Sequence, residues 1–292
     1  MKTLVTGGSG FIGRNVIKVL LEEDHDVIVF GRSNISSFKN KKNFQWIQGN
    51  LVTGEGLENI PWETLECVIH LAAAGVKSAK REWAECIQVN IVGTERLLSL
   101  IKKRAVKNPK VFLAKTFYEK AIHAIPSFKN NPYVATKEAS SRLAEMWSED
   151  FKGATIFGTI YHTFGPDDHF LSVLSYAAKQ LKDNKPAIFS NGTALGDWLY
   201  ITDAVAGILG AITASPAGLV SHWDIGSGTL TTVRELVEEL QQISGRGGGN
   251  IVFDALLDQA DVTLQEAAQK LPPGFQLKLP LRQGLEKHYQ LI

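Results

Sequence analysis

Apolar and polar positions along the first half of the chain alternate between two rhythms. Short apolar runs at Lys2 to Thr6, Asp26 to Phe30, Phe44 to Gln48, Cys67 to Leu71, Lys110 to Ala114 and Ala154 to Tyr161 have the length and composition of strands. Between most of them, apolar residues recur at helical spacing, as in Phe11 to Leu21. Strand alternating with helix predicts an α/β class with a parallel, doubly wound sheet. Beyond Pro166 the rhythm loosens into a helix through Lys182, a turn at Asn191-Gly192 and a further helix from Ile201 to Ala214. The pattern predicts a first domain over residues 1–165, to which a later segment near 195–225 returns, and a smaller second domain over 166–292.

Composition narrows the picture. A chain of 292 residues can bury a substantial core. Its net charge of +1 gives no electrostatic reason to expect nucleic acid or a charged membrane as partner, and its six tryptophans are scattered, without a stacking array. The two cysteines, Cys67 and Cys86, lack metal-ligand spacing and read as buried thiols in a reducing compartment. With no long apolar run and no basic, apolar leader before the first strand, the expected location is the cytosol. Asp167, Asp168 and His169 are consecutive, which suits a hydrated turn better than a coordination sphere, so no metal is expected. Ser244 to Gly249 reads as a flexible loop.

Two motifs carry chemistry. The first, Thr6-Gly-Gly-Ser-Gly-Phe-Ile-Gly13, joins a strand to a helix. Gly7 allows a tight turn, Gly10 lets the backbone approach a pyrophosphate, and Gly13 lets the helix pack closely, with the helix N-terminus facing the phosphates. The second is Tyr133-Val-Ala-Thr-Lys137, preceded by Asn131-Pro132, which predicts a helix capped by Asn131 and running through Trp147. Tyr133 and Lys137 then share one helix face. A neighbouring ammonium favours the phenolate of a group that otherwise titrates near pH 10, which makes a tunable acid/base.

With these motifs the chain resembles the extended short-chain dehydrogenase/reductase family, also described as the NAD-dependent epimerase/dehydratase family. The resemblance extends through Val68-Ile-His-Leu-Ala-Ala73, Val89-Asn-Ile-Val-Gly-Thr94 opening a helix, Phe164-Gly-Pro166, Asp197-Trp-Leu-Tyr-Ile-Thr-Asp203 and Trp223-Asp-Ile-Gly-Ser-Gly228. It implies a Rossmann dinucleotide domain followed by a smaller substrate-binding domain, a nucleotide-sugar substrate and a homodimer formed through helices flanking the sheet. Tyr133 becomes the proton donor or acceptor, Lys137 the ribose ligand and Thr116 the hydroxyl that orients the substrate, with Tyr118 or Lys115 as alternatives. The implied cofactor contacts are Gly7, Gly10, Phe11, Ile12, Gly13, Arg32, Ser33, Asn50, Leu51, Leu71, Ala72, Ala73 and Asn90, together with Tyr133 and Lys137. His70 belongs to the cofactor loop through its backbone, and His162 falls at a position that often faces substrate.

Several residues depart from the family pattern. After the second strand stands Gly31-Arg32-Ser33, with no carboxylate to accept from a ribose; Arg32 can donate to a ribose phosphate, which predicts NADP, with NAD as the alternative. Asn50 replaces a common Asp and keeps a carbonyl acceptor for adenine. Phe117 and Tyr118 occupy the positions where a 4,6-dehydratase carries Asp and Glu, so water elimination is not expected. Gly196 and Thr159 stand where arginines are common, leaving Arg234, Arg246 or Arg282 for a diphosphate.

The Thr-Phe-Tyr sequence and the Tyr-x-Ala-Thr-Lys form are most similar to reductases of nucleotide-linked 4-keto-6-deoxyhexoses, such as CDP-abequose and CDP-paratose synthases. The leading expectation is therefore NADPH-dependent reduction of such a sugar. A nucleotide-sugar 4-epimerase with tightly bound NAD and a noncatalytic dinucleotide sensor are the alternatives.

Overall fold

The computed structural model describes residues 1–76, 82–122, 130–168, 172–245, 251–254 and 266–292. These fall into two compact units. One comprises Met1–Thr159 and Ile208–Trp223, the other Ile160–Gly207 and Asp224–Ile292.

The first unit is built on a seven-stranded sheet. Its strands are β1 (Lys2–Thr6), β2 (Asp26–Gly31), β3 (Phe44–Gln48), β4 (Cys67–His70), β5 (Lys110–Thr116), β6 (Thr155–Ile160) and β10 (Val220–Ile225). The order β10-β6-β5-β4-β1-β2-β3 places β1 between β2 and β4, parallel to both. Chain order reverses at β1, and the crevice beyond the carboxyl ends of β1 and β4 is where such sheets bind ligands. Leu4, Ile28, Phe30, Val68, Val111 and Leu113 share one core cluster with Leu97, Leu98 and Ile101 of the helix Gly93–Arg104. The intervening Val5, Val27, Val29, Ile69 and Phe112 are buried too. Side chains alternate between faces along a strand, so both faces of the sheet are covered, as a parallel sheet requires.

Helix α1 (Phe11–Glu22) follows the glycine turn and buries Val16, Ile17, Leu20 and Leu21. Val89 to Thr94 does not open a helix. It lies within a helical run that starts at Trp83–Cys86, passes through a π-helical stretch at Ile87–Val92 and continues as Gly93–Arg104. A π-turn inserts one residue into the helical count and shifts the faces on either side of it. β5 extends two residues past the expected Ala114, so Thr116 is its last residue, and a short helix at Tyr118–Ala121 follows.

The second unit contains the sheet β11-β9-β7, with β7 at His162–Phe164, β9 at Leu195–Tyr200 and β11 at Leu230–Thr232, and a parallel pair of β8 (Ala187–Phe189) and β12 (Ile251–Phe253). Three-residue strands carry too little alternation to be read in sequence. The expected turn at Asn191-Gly192 and the helix Ile201–Ala214 are present, Gly192 having φ +74°. Buried aspartates fasten the later chain. Asp197 accepts from the amides of Ser227, Gly228 and Ala268, at 2.6, 2.9 and 2.9 Å. Asp224 accepts from Gln269 and Lys270, and Asp203 from Leu279.

Candidate active site

The glycine turn makes a cradle shaped by what a side chain would strike. Gly7 has φ +73°, and a Cβ there would sit 2.5 Å from the backbone carbon of Leu71. A Cβ on Gly13 would lie 2.3 Å from the carbonyl oxygen of Gly7, so α1 packs directly on the turn. Gly10 caps α1 without a side-chain bond, and the first turn of the helix carries no acidic residue. The amides of Phe11, Ile12 and Gly13 therefore sit at a helix N-terminus that no side chain satisfies, where an anion is stabilised. Arg14, which sequence reasoning passed over, has its Nε buried one residue further on, without a hydrogen-bond partner among the described residues. A cation near the start of a helix opposes the helix dipole, a cost that a bound anion offsets. These residues fit the pyrophosphate of a dinucleotide.

At the end of β2 a Cβ on Gly31 would meet nothing within 4 Å, which leaves open space beside the turn. Arg32 and Ser33 are exposed, and Arg32 makes no hydrogen bond or ion pair with the described residues. Asn50 Oδ1 accepts from the amide of Val52 at 2.9 Å and closes a local turn. Arg96 holds the same loop by donating to the carbonyls of Leu51 and Val52. Leu51 is buried at its base.

The end of β4 is organised by side chains, where sequence pointed to backbone. His70, 3% exposed, bridges Thr6 Oγ1 at 2.6 Å and Thr94 Oγ1 at 2.9 Å, tying β1 and the helix Gly93–Arg104 to β4. Burial, with a smaller contribution from Lys137, pushes its pKa from 6.5 down to about 3. The native state thus favours the neutral ring, whereas the unfolded chain protonates near pH 6.5. Stability is lost as pH falls below that value and goes on falling until about pH 3, at up to about 1.4 kcal/mol per pH unit. His70 alone should cost on the order of 2 kcal/mol by pH 5. Thermal unfolding between pH 7.5 and 5 should show a falling midpoint in the wild type and a flatter dependence in His70→Asn. Parallel curves for the two proteins would remove His70 from the account.

Leu71, Ala72 and Ala73 line the partly exposed loop that follows. Asn90, in the π-helical stretch, is 1% exposed and faces no open space. It accepts from the amide of Ala74 at 2.8 Å and donates to the Ala74 carbonyl at 3.1 Å and to Thr136 Oγ1 at 2.9 Å. Both its donors are spent on protein, so its part is to brace the β4 loop against the helix that carries Tyr133. Gly75 completes the brace. Its φ is +84°, and a Cβ there would lie 2.8 Å from Cys86 Sγ and 3.1 Å from Tyr133 Cβ.

The helix Pro132–Ser148 starts as its sequence predicts, with Asn131 Oδ1 accepting from the amides of Tyr133 and Val134 and Pro132 in the first turn. Lys137, 9% exposed, donates from Nζ to the Ala114 carbonyl at 2.7 Å, which anchors it to the end of β5 with one of its three donors. Its pKa is lowered, chiefly by burial, with Glu119 opposing and Lys115 adding to the shift. Thr116, 7% exposed, sits at the same strand end. Its amide donates to Glu119 Oε1 at 2.9 Å. Glu119 is a buried carboxylate that sequence reasoning missed, because nothing in Tyr-Glu-Lys-Ala distinguishes it from a surface helix residue. Phe117 and Tyr118 pack ring against ring at 4.0 Å.

A model of the family described as "NAD dependent epimerase/dehydratase family" matches residues 3–226. The chain belongs to this family. It is 24% identical over 314 residues to the human dTDP-D-glucose 4,6-dehydratase, covering 98% of this chain and 88% of that one. It is 28% identical over 270 residues to the UDP-glucuronate 4-epimerase of Thermodesulfobacterium geofontis, with 83% and 80% covered. The fold matches the UDP-glucose 4-epimerase of Thermotoga maritima, solved with UDP-glucose, at a TM-score of 0.82 and 24% identity, covering 100% and 98% of the two chains. It likewise matches the UDP-glucuronic acid 4-epimerase of Bacillus cereus, solved with NAD, at 0.79 and 23% identity, covering 100% and 96%.

Two residues of this epimerase/dehydratase chain that sequence assigned to substrate lie in the second unit, and both have protein partners. His162 stacks on Trp198, its partner across β7 and β9, with ring centroids 4.5 Å apart. Burial lowers its pKa to about 4, partly opposed by Asp197. A Cβ on Gly196 would lie 2.7 Å from the His162 ring and 2.8 Å from Trp198 Nε1, so the stack fills the space an arginine would need. Arg234 is not a ready diphosphate ligand. Its guanidinium lies over the Phe253 ring at 3.7 Å, donates to the Asn191 carbonyl and faces Glu238. Arg282 is paired with Glu239 and Glu286. Arg246 lies outside the described residues.

Proposed function

We propose that the protein is a nucleotide-sugar 4-epimerase, which oxidises and re-reduces one ring carbon of its substrate with a retained nicotinamide dinucleotide. The observation that carries this reading is the end of β5. By the resemblance, Phe117 and Tyr118 stand where a dehydratase carries the carboxylic pair needed for water elimination, and the adjacent carboxylate, Glu119, is turned onto the Thr116 amide and the Ser141 hydroxyl. What remains is a site for proton transfer and hydride transfer without elimination. The matching 4-epimerases support the same choice.

In this mechanism Tyr133 takes the proton of the sugar hydroxyl during oxidation and returns it during reduction. Lys137 steadies the phenolate and holds the ribose. The Thr116 hydroxyl donates to the reacting oxygen and orients it. When bound, the nicotinamide supplies the acceptor and later the donor of the hydride.

A second reading, an NADPH-dependent reductase of a 4-keto-6-deoxyhexose, is favoured by Arg32, which stands exposed after β2, without an ion pair among the described residues and with no carboxylate beside it in sequence to repel a ribose phosphate. Cofactor accounting separates the two. Copurifying NAD and turnover of UDP- or dTDP-hexoses with no added cofactor are expected for the epimerase. Stoichiometric loss of NADPH with 4-keto-6-deoxyhexoses would replace it by the reductase, and dinucleotide binding without turnover of either panel would overturn both. Arg32→Asp should weaken NADPH more than NADH; an equal effect on the two would take Arg32 out of cofactor selection.

A further inference from the structure

At the end of β5 a chain of charges runs from Glu119 through Lys115 and Glu145 to the exposed Arg142. Glu119, 8% exposed, is its buried end. Oε1 accepts from the Thr116 amide at 2.9 Å, and Oε2 accepts from Ser141 Oγ at 2.7 Å. Lys115 Nζ approaches Oε2 at 3.4 Å, reaches Glu145 at 3.8 Å and rests over the Phe157 ring at 5.8 Å. Glu145 in turn holds the exposed Arg142 at 2.8 Å. Ser141 is one turn beyond Lys137 and two beyond Tyr133, so all three lie on one face of their helix. One carboxylate therefore ties the strand end bearing Thr116 to the helix face bearing the proton-transfer pair.

We propose that Glu119 is a positioning residue for proton transfer, which fixes the Thr116 backbone against the Tyr133–Lys137 helix and supplies the negative charge that keeps Lys137 an ammonium next to Lys115. The inference rests on the proposed use of Tyr133 and Lys137 as the proton-transfer pair. Lys115 and Lys137 are like charges in a poorly solvated place, where two ammonium groups destabilise each other unless a carboxylate faces them. Among the described residues, the charged groups that act on Lys137 are Glu119 from the short helix after β5 and Lys115 from β5; Lys137 in turn acts on His70 from β4, and Tyr133 lies one turn before it on its own helix. His70 is neutral at physiological pH, since burial holds its pKa at about 3. The charge of Lys137 thus turns on the balance of Glu119 against Lys115 and burial, which act on it in opposite directions.

The test is the titration of Lys137 itself, read by pH-dependent trace acetylation with acetic anhydride and mass analysis of the Lys137 peptide, next to the pH profile of kcat. In Glu119→Gln, which keeps the size and one acceptor but loses the charge, the Lys137 titration and the alkaline limb of the profile should move to lower pH by about one unit. Lys115→Met removes the opposing charge and should move both to higher pH; it also serves if E119Q does not fold. A uniform loss of kcat at every pH, with Lys137 titrating unchanged in both variants, would overturn the proposal and leave Glu119 a purely structural residue. If no sugar panel is turned over, the proposed function fails, and the acetylation titration still decides the role of Glu119.

Discussion

Replacing Tyr133 by phenylalanine should lower turnover by about 10³-fold while leaving dinucleotide affinity nearly unchanged. The expectation follows from how the ring is placed. Its backbone amide is capped by Asn131, and its Cβ faces Gly75, whose positive φ and missing side chain let the β4 loop pass against the helix. Both contacts are made by the backbone and Cβ, which phenylalanine keeps, so the substitution removes the oxygen proposed to exchange a proton and retains the ring and the helix start. Steady-state turnover together with equilibrium titration of NAD(H) checks both halves. Full retained activity would sink the mechanism, and a matching loss of cofactor affinity would make Tyr133 a binding residue.

The second large effect is expected at the turn after β1. Gly13→Ala should destabilise the first unit by about 3 kcal/mol and abolish measurable dinucleotide binding. The added carbon would be 2.3 Å from the Gly7 carbonyl oxygen and 2.8 Å from Gly8 Cα, both backbone atoms that no rotamer change can move. The turn cannot retreat either, because Gly7 already lies against the backbone of Leu71 and Ala72. Helix α1 would have to lift, carrying its uncapped amides away from the crevice. Gly31→Ala makes the comparison clean, since its added carbon meets nothing within 4 Å. That variant should unfold like the wild type in urea, so any cofactor affinity it loses reports a ligand in that space. A G13A protein with wild-type urea midpoint and NAD affinity would contradict the packing argument.

Much of this was legible because it is local. The six strands of the first half, the glycine turn and the Asn131 cap are written within a few residues of where they act, and the structure reproduces them to within two residues. The expected Thr116 hydroxyl stands at a strand end, close in sequence to the Lys137 anchor at Ala114. What was not legible depends on residues distant in the chain. Glu119 is buried against Ser141, which lies 22 residues further along the chain and donates to its carboxylate. The π-helical stretch at Ile87–Val92 is invisible to a 3.6-residue rhythm, since it breaks that rhythm by one residue. Arg234 looked free until Phe253 lay beneath it.

The three buried aspartates of the second unit have a consequence for how this chain can diverge. Asp197, Asp224 and Asp203 grip the segment from Ala268 to Leu279 through main-chain amides, contacts that any residue but proline can make. The attachment is indifferent to the side chains it attaches. The exposed positions of that segment, such as Gln269, Lys270 and Gln276, can therefore drift in sequence without loosening it, while Asp197, Asp203 and Asp224 cannot. Descendants of this protein would be expected to carry their novelty in the strap and their constancy in the clasps.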